Sequence, residues 1–405
     1  MTTRKKLLSP LVLAGALGYF VDIYDLVLFS ILRTSSLKSL GVPDAELLNV
    51  GVRLLNWQMS GLLLGGVLWG ILGDKRGRLS VLFGSIVLYS LANIANALVT
   101  NIDQYAVLRF IAGIGLAGEL GAAITLVAEV LPKEIRGYGT AIVAGVGLSG
   151  AVFAGLVAEF LSWKMAYFTG GVLGLLVLFT RVRLVESGLF SEVRTTGVRR
   201  GDIGLLFANF SRTWRYLCCI FIGLPIWYVV GILVTFSPEI MQSLGVTEPV
   251  SAGRGILFCY AGVALGDFAT GAISQWIGSR KRVVGFALAA ETLLVLSLLL
   301  SSHFSSQYFY VFCFFLGLAT GYWAVFVTMA SEQFGTNLRA TVTTTVPNFV
   351  RGSVVLLTLG FKKLQGPFGL SASALLVFGV TLFLAVVALY SLHETHSRDL
   401  NYLET

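Results

Sequence analysis

Charged side chains are scarce in this sequence. They make up 12% of its 405 residues, whereas soluble domains carry roughly 25%. Hydrophobic residues account for 56%, and the mean hydropathy is +0.83. This balance excludes an ordinary soluble protein and predicts an all-α polytopic membrane protein. Because a span with its loop takes about 30 residues, the chain has room for about twelve transmembrane helices.

Cysteine and histidine are also rare, which limits the chemistry open to the chain. The four cysteines lie in apolar runs, with neither metal-ligand spacing nor the pattern of a disulfide framework. His303, His393 and His396 lie at the edges of apolar runs, so carboxylates must carry any proton at membrane depth. Since the sequence shows no nucleophile–base pair or phosphate loop either, we predict a protein that is not an enzyme and needs no cofactor or metal.

The net charge of +8 raises the alternative of a nucleic-acid partner. The basic residues, however, cluster in alternate loops, among them the segment from Arg181 to Arg215, and the opposite loops hold few. This asymmetry is typical of membrane topology. It predicts both termini in the cytoplasm, in a bacterial inner membrane, and no nucleic-acid partner. The first apolar run carries Asp22 and Asp25 and lacks a cleavage site, so we interpret it as a retained span.

The chain divides into two related halves. The stretch 70–77 aligns with the stretch 271–278, and other charged positions align under nearly the same shift. Repeats of six spans are typical of alternating-access transporters, which bind their solute near the membrane midplane between the halves. We therefore predict two pseudo-symmetric six-helix bundles, residues 1–182 and 216–405, joined by a cytoplasmic linker over residues 183–215.

The loop after the second span carries a resemblance to a known family. It contains Gly70, Asp74, Lys75, Gly77 and Arg78 in the spacing G-x-x-x-D-[RK]-x-G-R, the signature of the major facilitator superfamily. The sequence resembles that superfamily over essentially its whole length. The resemblance implies the major facilitator fold and transport by alternating access.

Within the superfamily, the sequence is most similar to the metabolite:proton symporter group. The similarity lies in the segment 22–26, DIYDL, and in the segment 109–119, RFIAGIGLAGE. The segment 129–137, EVLPKEIRG, is shared with the sugar porters. The chain departs from the group at Leu62 and Leu63, where the group carries Arg-Pro, so the resemblance does not specify the solute.

Acids at membrane depth are the predicted proton carriers, since a charge there costs several kcal/mol and faces a cavity or a partner. Asp25 is the first of them, and the resemblance implies Arg109 as the partner whose distance changes its affinity for protons. Asp22 and Glu119 are the second choices for proton coupling. For all of these residues the alternative is a permanent structural role, as an ion pair or a hydrogen-bond acceptor.

Arg351 lies in the middle of an otherwise uncharged span. A lone guanidinium at that depth needs an anion, either a protein acid or the carboxylate of a solute. We predict that Arg351 binds the solute and that Asp267 is its resting partner, with a purely structural pair as the alternative. Trp227, Tyr322 and Trp323 are expected to line the same cavity, although aromatic residues in spans more often serve packing.

Charges at the facing ends of the spans predict a cytoplasmic gate. Acidic and basic residues there would hold one conformation and separate when the two halves rock. The predicted gate consists of Asp74, Lys75, Gly77, Arg78, Glu129 and Arg136. The alternative is that these charges only set the topology, which does not explain the two acids among them.

The leading hypothesis is a monomeric secondary active transporter that imports a small polar metabolite, an organic anion or a zwitterion, together with protons. Its predicted partners are thus the solute, protons and the lipid bilayer. One alternative is a proton-antiport exporter of drugs or siderophores, against which the buried charges argue. Another is a non-transporting membrane sensor, for which the sequence offers no large soluble domain.

Overall fold

The computed structural model describes residues 9–76, 78–119, 121, 133–186 and 203–396. Within these ranges the chain is helical and contains no β-strand. Ten spans there are long and apolar enough to cross a membrane, and one further apolar helix, Ser80–Asn96, is shorter. The predicted all-α polytopic fold is therefore confirmed.

The helices of the first half begin with recognisable signals. They are α1 (Pro10–Ser39), α2 (Leu47–Arg76), α3 (Arg78–Asn96), α4 (Ile102–Leu116), α5 (Lys133–Phe160) and α6 (Trp163–Glu186). Pro10 occupies the first turn of α1, where its missing N–H costs no hydrogen bond. Asn101 precedes α4, and its side chain accepts a hydrogen bond from the N–H of Gln104. Most of the chain from α4 to α5 lies outside the described residues, so the fourth predicted span is described only in part.

The second half contains shorter helical pieces. They are α7 (Phe210–Tyr228), α8 (Ser237–Ser243), α9 (Ala252–Ile277), α10 (Arg280–Leu299), α11 (Ser306–Thr320), α12 (Trp323–Glu332), α13 (Thr336–Gly352), α14 (Val354–Phe368) and α15 (Leu370–Ser391). A π-helical segment, Val229–Val234, connects α7 to α8. The span formed by α11 and α12 is interrupted at Gly321 and Tyr322. Interruptions of this kind occur often at functional sites, because they free backbone groups and let a helix bend.

The start of α7 differs from the prediction. The helix begins at Phe210, where Asn209 caps it by accepting a hydrogen bond from the N–H of Arg212, whereas the second bundle is predicted to begin at residue 216. The predicted linker over residues 183–215 therefore overlaps the end of α6 and the start of α7. The domain boundaries themselves stay a prediction, because residues 187–202 lie outside the described chain.

One closely packed helix pair has a counterpart in the other half. In the first half α2 packs against α4, and in the second half α9 packs against α11. Gly61 in α2 lies directly against the carbonyl oxygen of Phe110, and Gly262 in α9 lies against that of Phe314. A Cβ at either glycine would overlap the facing backbone, so the small residue is what permits the approach. The two halves meet where α5 packs against α9 and where α2 packs against α13.

Candidate functional site

An ion pair joins the two halves inside the bundle. Nη1 of Arg351 in α13 lies 3.7 Å from Oδ2 of Asp22 in α1, and the two side chains are 1% and 0% exposed. Arg351 thus has a protein acid as its partner, as the sequence predicts. The acid, however, is Asp22, whereas the sequence predicts Asp267.

The hydrogen-bonding capacity of this pair is largely unused. A separation of 3.7 Å exceeds the length of a hydrogen bond. Among the described residues, neither oxygen of Asp22 nor Nε or Nη1 of Arg351 has a hydrogen-bond partner. Because buried ions are costly unless their donors and acceptors are satisfied, the arrangement favours a further polar ligand. A guanidinium is suited to a carboxylate, which it binds through two parallel N–H···O bonds.

Two indole rings lie beside the guanidinium of Arg351. Its Cζ is 5.9 Å from the ring centre of Trp227 in α7 and 5.6 Å from that of Trp323, the first residue of α12. Both tryptophans are buried. Flat apolar faces next to a cation suit a ligand that has an anionic group attached to a small ring.

Asp267 and Tyr322 serve the interruption between α11 and α12. Oδ1 of Asp267 accepts a hydrogen bond from the N–H of Ala324 at 3.0 Å, so its negative charge lies at the N-terminus of α12. The hydroxyl of Tyr322 donates to the carbonyl oxygen of Ile222 in α7 at 3.0 Å. Asp267 thus positions α12, the helix that begins with Trp323. The Tyr322 hydroxyl is engaged in its hydrogen bond to the backbone of α7 and is not directed to Arg351.

Asp25 and Arg109 form a second buried polar group, within the first half. Arg109 donates a hydrogen bond to Oδ1 of Asn93, and its guanidinium lies 4.7 Å from the ring centre of Tyr167. The charge of Arg109 acts on Asp25, but no ion pair within 4.0 Å joins these two residues, both of which the structure describes. The carboxyl oxygens of Asp25 have no hydrogen-bond partner in the described chain. The sequence analysis missed Asn93, although an amide in an apolar run is itself a signal.

Glu119 is bound firmly by Arg181. Nη1 of Arg181 lies 3.0 Å from Oε2 of Glu119, and Nη2 bonds to the other carboxylate oxygen and to the carbonyl of Ala14 at 3.1 Å. Arg181, which lies within α6, is therefore buried in an ion pair, whereas the sequence predicts that it begins the polar linker segment. Both carboxylate oxygens of Glu119 are thus engaged by one guanidinium, in the two-point geometry of a structural ion pair.

The Glu119–Arg181 pair depends on a glycine. Both ionic groups lie directly against Gly18 of α1, where any Cβ would overlap them. We expect Gly18→Ala to lower the free energy of unfolding of the purified protein by about 3 kcal/mol, because it separates a buried ion pair. Gly271→Ala is the matched control: no atom lies within 4 Å of a Cβ there, so only the gain of up to about 1 kcal/mol in helix propensity remains. Equal thermal stability of the two variants would refute the contact.

A third buried ion pair closes one end of the bundle. Arg33 near the end of α1 binds Glu239 of α8 through two bonds of 2.7 Å each, although the residues belong to opposite halves. The Arg33 side chain is fully buried; it also donates to the carbonyl of Leu47 at 3.2 Å and lies 4.8 Å from the ring centre of Phe236. Neither partner was selected from the sequence, because a charge near the end of an apolar run usually reaches the interface.

The predicted cytoplasmic gate lies largely outside the described structure. Gly77 and Glu129 are outside the described residues, and so are the side chains of Asp74, Lys75, Arg78 and Arg136. The second half shows a related arrangement, since Glu332 aligns with Glu129 in the repeat. Glu332 accepts two hydrogen bonds from Arg280, at 2.7 and 2.9 Å. The gate itself stays a prediction.

Comparisons with known proteins address the chain as a whole. The profile of the family described as Major Facilitator Superfamily matches residues 15–358. A probable 4-methylmuconolactone transporter of Cupriavidus pinatubonensis is 27% identical over 388 residues, which cover 90% of this chain and 88% of that protein. The niacin transporter NiaP of Acinetobacter baylyi is 26% identical over 80% of each chain. The crystal structure of a D-xylose-proton symporter matches with a TM-score of 0.69 at 17% identity, over 96% of this chain and 99% of that one.

Proposed function

Since the chain belongs to the Major Facilitator Superfamily, we propose that it carries a small organic acid across the membrane together with protons. Transport would follow from alternating access to a site between its halves. The Asp22–Arg351 pair is the observation that supports this most directly. It places a buried cation between the halves, where a solute carboxylate can take the place of Asp22.

The proposed solute class is a small ring compound with one carboxylate. The guanidinium of Arg351 would bind the carboxylate, while the indoles of Trp227 and Trp323, within 6 Å of that guanidinium, would contact the ring. Niacin and 4-methylmuconolactone, the compounds in the names of the two relatives, are small ring compounds. A neutral sugar has no anionic group to satisfy Arg351, which argues against a neutral sugar as the solute.

Competition for Arg351 would couple the proton to the solute. A proton that binds Asp22 removes the negative charge that holds Arg351, so the guanidinium becomes free for the solute anion. The loaded site then contains a neutral carboxyl group and a neutral ion pair, and no unpaired charge has to move through the bundle. When proton and solute leave on the other side, Asp22 and Arg351 pair again. The proposal therefore puts Asp22 before Asp25 as the proton carrier.

The remaining predicted residues would act around this central exchange. Asp25 lies three residues after Asp22 in α1. Asp25 and Arg109 therefore continue the series of buried polar side chains that begins at Asp22, and they would relay the proton. The Arg33–Glu239 pair would close the outer end, and the predicted cytoplasmic gate would close the inner end. This assignment places both termini in the cytoplasm and the protein, as a monomer, in a bacterial inner membrane, in agreement with the distribution of basic residues.

Uptake into liposomes tests the proposal. With an alkaline interior, we expect the purified protein to accumulate at least one of a panel of small ring carboxylates, and to accumulate the matching ring amides at least tenfold less. The amides keep the ring and lose the charge that Arg351 would bind. As a control for the driving force, a protonophore should abolish accumulation. Accumulation only under the inverted gradient would favour the exporter, and equal uptake of acid and amide would contradict the role of Arg351.

A further inference from the structure

Glu291 is a buried carboxyl group that the proposed exchange does not use. It lies in the middle of α10, in the otherwise uncharged stretch AAETLL, and its side chain is fully buried. Neither of its oxygens has a hydrogen-bond partner among the described residues. Buried polar groups are nearly always satisfied, so an acid in this position needs an explanation.

Among the residues that the structure describes, no cation interacts with Glu291. Glu291 interacts electrostatically with three side chains: Tyr228 of α7, Cys259 of α9 and Tyr322 at the interruption between α11 and α12. Helices α11 and α15, which belong to the same half, carry no charged residue at all. The hydroxyls of Tyr228 and Tyr322 already donate to the carbonyl oxygens of Ala374 and Ile222.

Other buried acids of the described chain differ from Glu291 in this respect. Asp22 has Arg351, Glu119 has Arg181, and Asp267 has the N-terminus of α12. A carboxylate with neither a cation nor an N–H donor is too costly inside the bundle, so in this arrangement the group is neutral and holds a proton.

The position of Glu291 relates its proton to helix movement. Tyr228 is the last residue of α7, directly before the π-helical segment Val229–Val234, and Tyr322 separates α11 from α12. The acid thus interacts electrostatically with one side chain from each of the two interruptions of the helical backbone, at which these spans can bend. Bending there would open the surroundings of the carboxyl group to water.

We propose that Glu291 is a second proton-binding site, which loads in the described arrangement and releases its proton to water when the spans bend at these two interruptions. The inference rests on the proposed function, since it assumes that transport moves protons. With Asp22 as the first site, two protons accompany each solute molecule, and the transport of a monoanion moves one net positive charge.

The ratio of protons to solute is the test. Liposomes with a pH dye inside and labelled solute outside report both fluxes, and we expect a ratio of two for the unchanged protein and one for Glu291→Gln. Glutamine has the shape of the protonated acid, so uptake driven by the solute gradient should persist. Glu248→Gln is the matched control, because it neutralises an exposed loop carboxylate that is bonded to Ser306, the first residue of α11; its ratio should stay at two.

The possible outcomes separate the inference from the function it assumes. A ratio of one in the unchanged protein, or the same ratio in Glu291→Gln, would overturn the second site and leave proton-coupled transport standing. A ratio of zero in the unchanged protein would refute the proposed function. Should Glu291→Gln fail to fold, the ratio of the unchanged protein and the shift of its infrared protonated-carboxyl band in Glu291→Asp still decide.

Discussion

Replacement of Asp22 by asparagine is expected to reduce strongly the accumulation of solute that a pH gradient drives, while exchange of solute across the membrane continues. The amide cannot take up or release a proton, and it carries no charge to hold Arg351, 3.7 Å away in the unchanged protein. The variant should therefore resemble the permanently protonated state, in which the guanidinium is free for the solute. Accumulation should fall at least tenfold, whereas counterflow of labelled solute should be retained and should lose the part of its pH dependence that Asp22 contributes.

The partner residue gives a contrasting expectation. Arg351→Lys keeps the charge and removes the two-point contact, which is worth about 1.5–3 kcal/mol, or roughly 10–100-fold in affinity for the solute. Affinity should thus fall while the ratio of protons to solute is unchanged. Asp25→Asn is the comparison for Asp22→Asn within α1: it removes the proposed relay and should slow accumulation, but it does not free Arg351, because Asp25 makes no ion pair with Arg351. Full accumulation by Asp22→Asn would exclude Asp22 as the coupling residue, and loss in Asp25→Asn alone would return that role to Asp25.

The fold could be predicted because few physical constraints determine it. The bilayer requires long apolar helices, so composition and periodicity show the spans, and internal repetition shows the two halves. The positions of Asp22, Asp25, Arg109 and Arg351 at membrane depth follow from the same pattern. The structure places all of them in the interior, where each is fully buried or nearly so.

The pairings between these charges could not be predicted in the same way. A span fixes the depth of a side chain, but the partner depends on how helices from different halves face each other. The sequence therefore predicts that Arg351 has an acid as its partner. Only the packing of α1 against the second half shows that this acid is Asp22 and not Asp267. Arg181 illustrates the same limit: at the end of an apolar run a basic residue usually reaches the cytoplasm, and only the position of Glu119 on a neighbouring helix shows that it is buried.

Glu239→Gln is expected to open the end of the bundle at which α1 meets α8. The change leaves the fully buried Arg33 without its anion, and removing one partner of a buried ion pair costs about 3–5 kcal/mol, enough to shift a conformational equilibrium by roughly 100-fold or more. A cysteine in place of Ser237 reports the change, since Ser237 is fully buried beside the pair. All four native cysteines are buried and give a low background. The reaction of the introduced thiol with a membrane-impermeant maleimide should accelerate at least tenfold.

The neighbouring Lys38–Asp44 pair supplies the control for this experiment. It has the same separation of 2.7 Å but is 52% and 78% exposed and lies within the first half. Asp44→Asn should leave the labelling rate of Ser237→Cys unchanged, because an exposed pair contributes little and does not bridge the halves. Excess solute that stabilises one conformation should also change the labelling rate of Ser237→Cys. This change should be larger in the Glu239→Gln variant than in the Asp44→Asn control. Equal labelling rates in the two variants would show that the Arg33–Glu239 contact does not restrain the halves, and closure of this end would then rest on the packing of α2 against α13 and of α5 against α9.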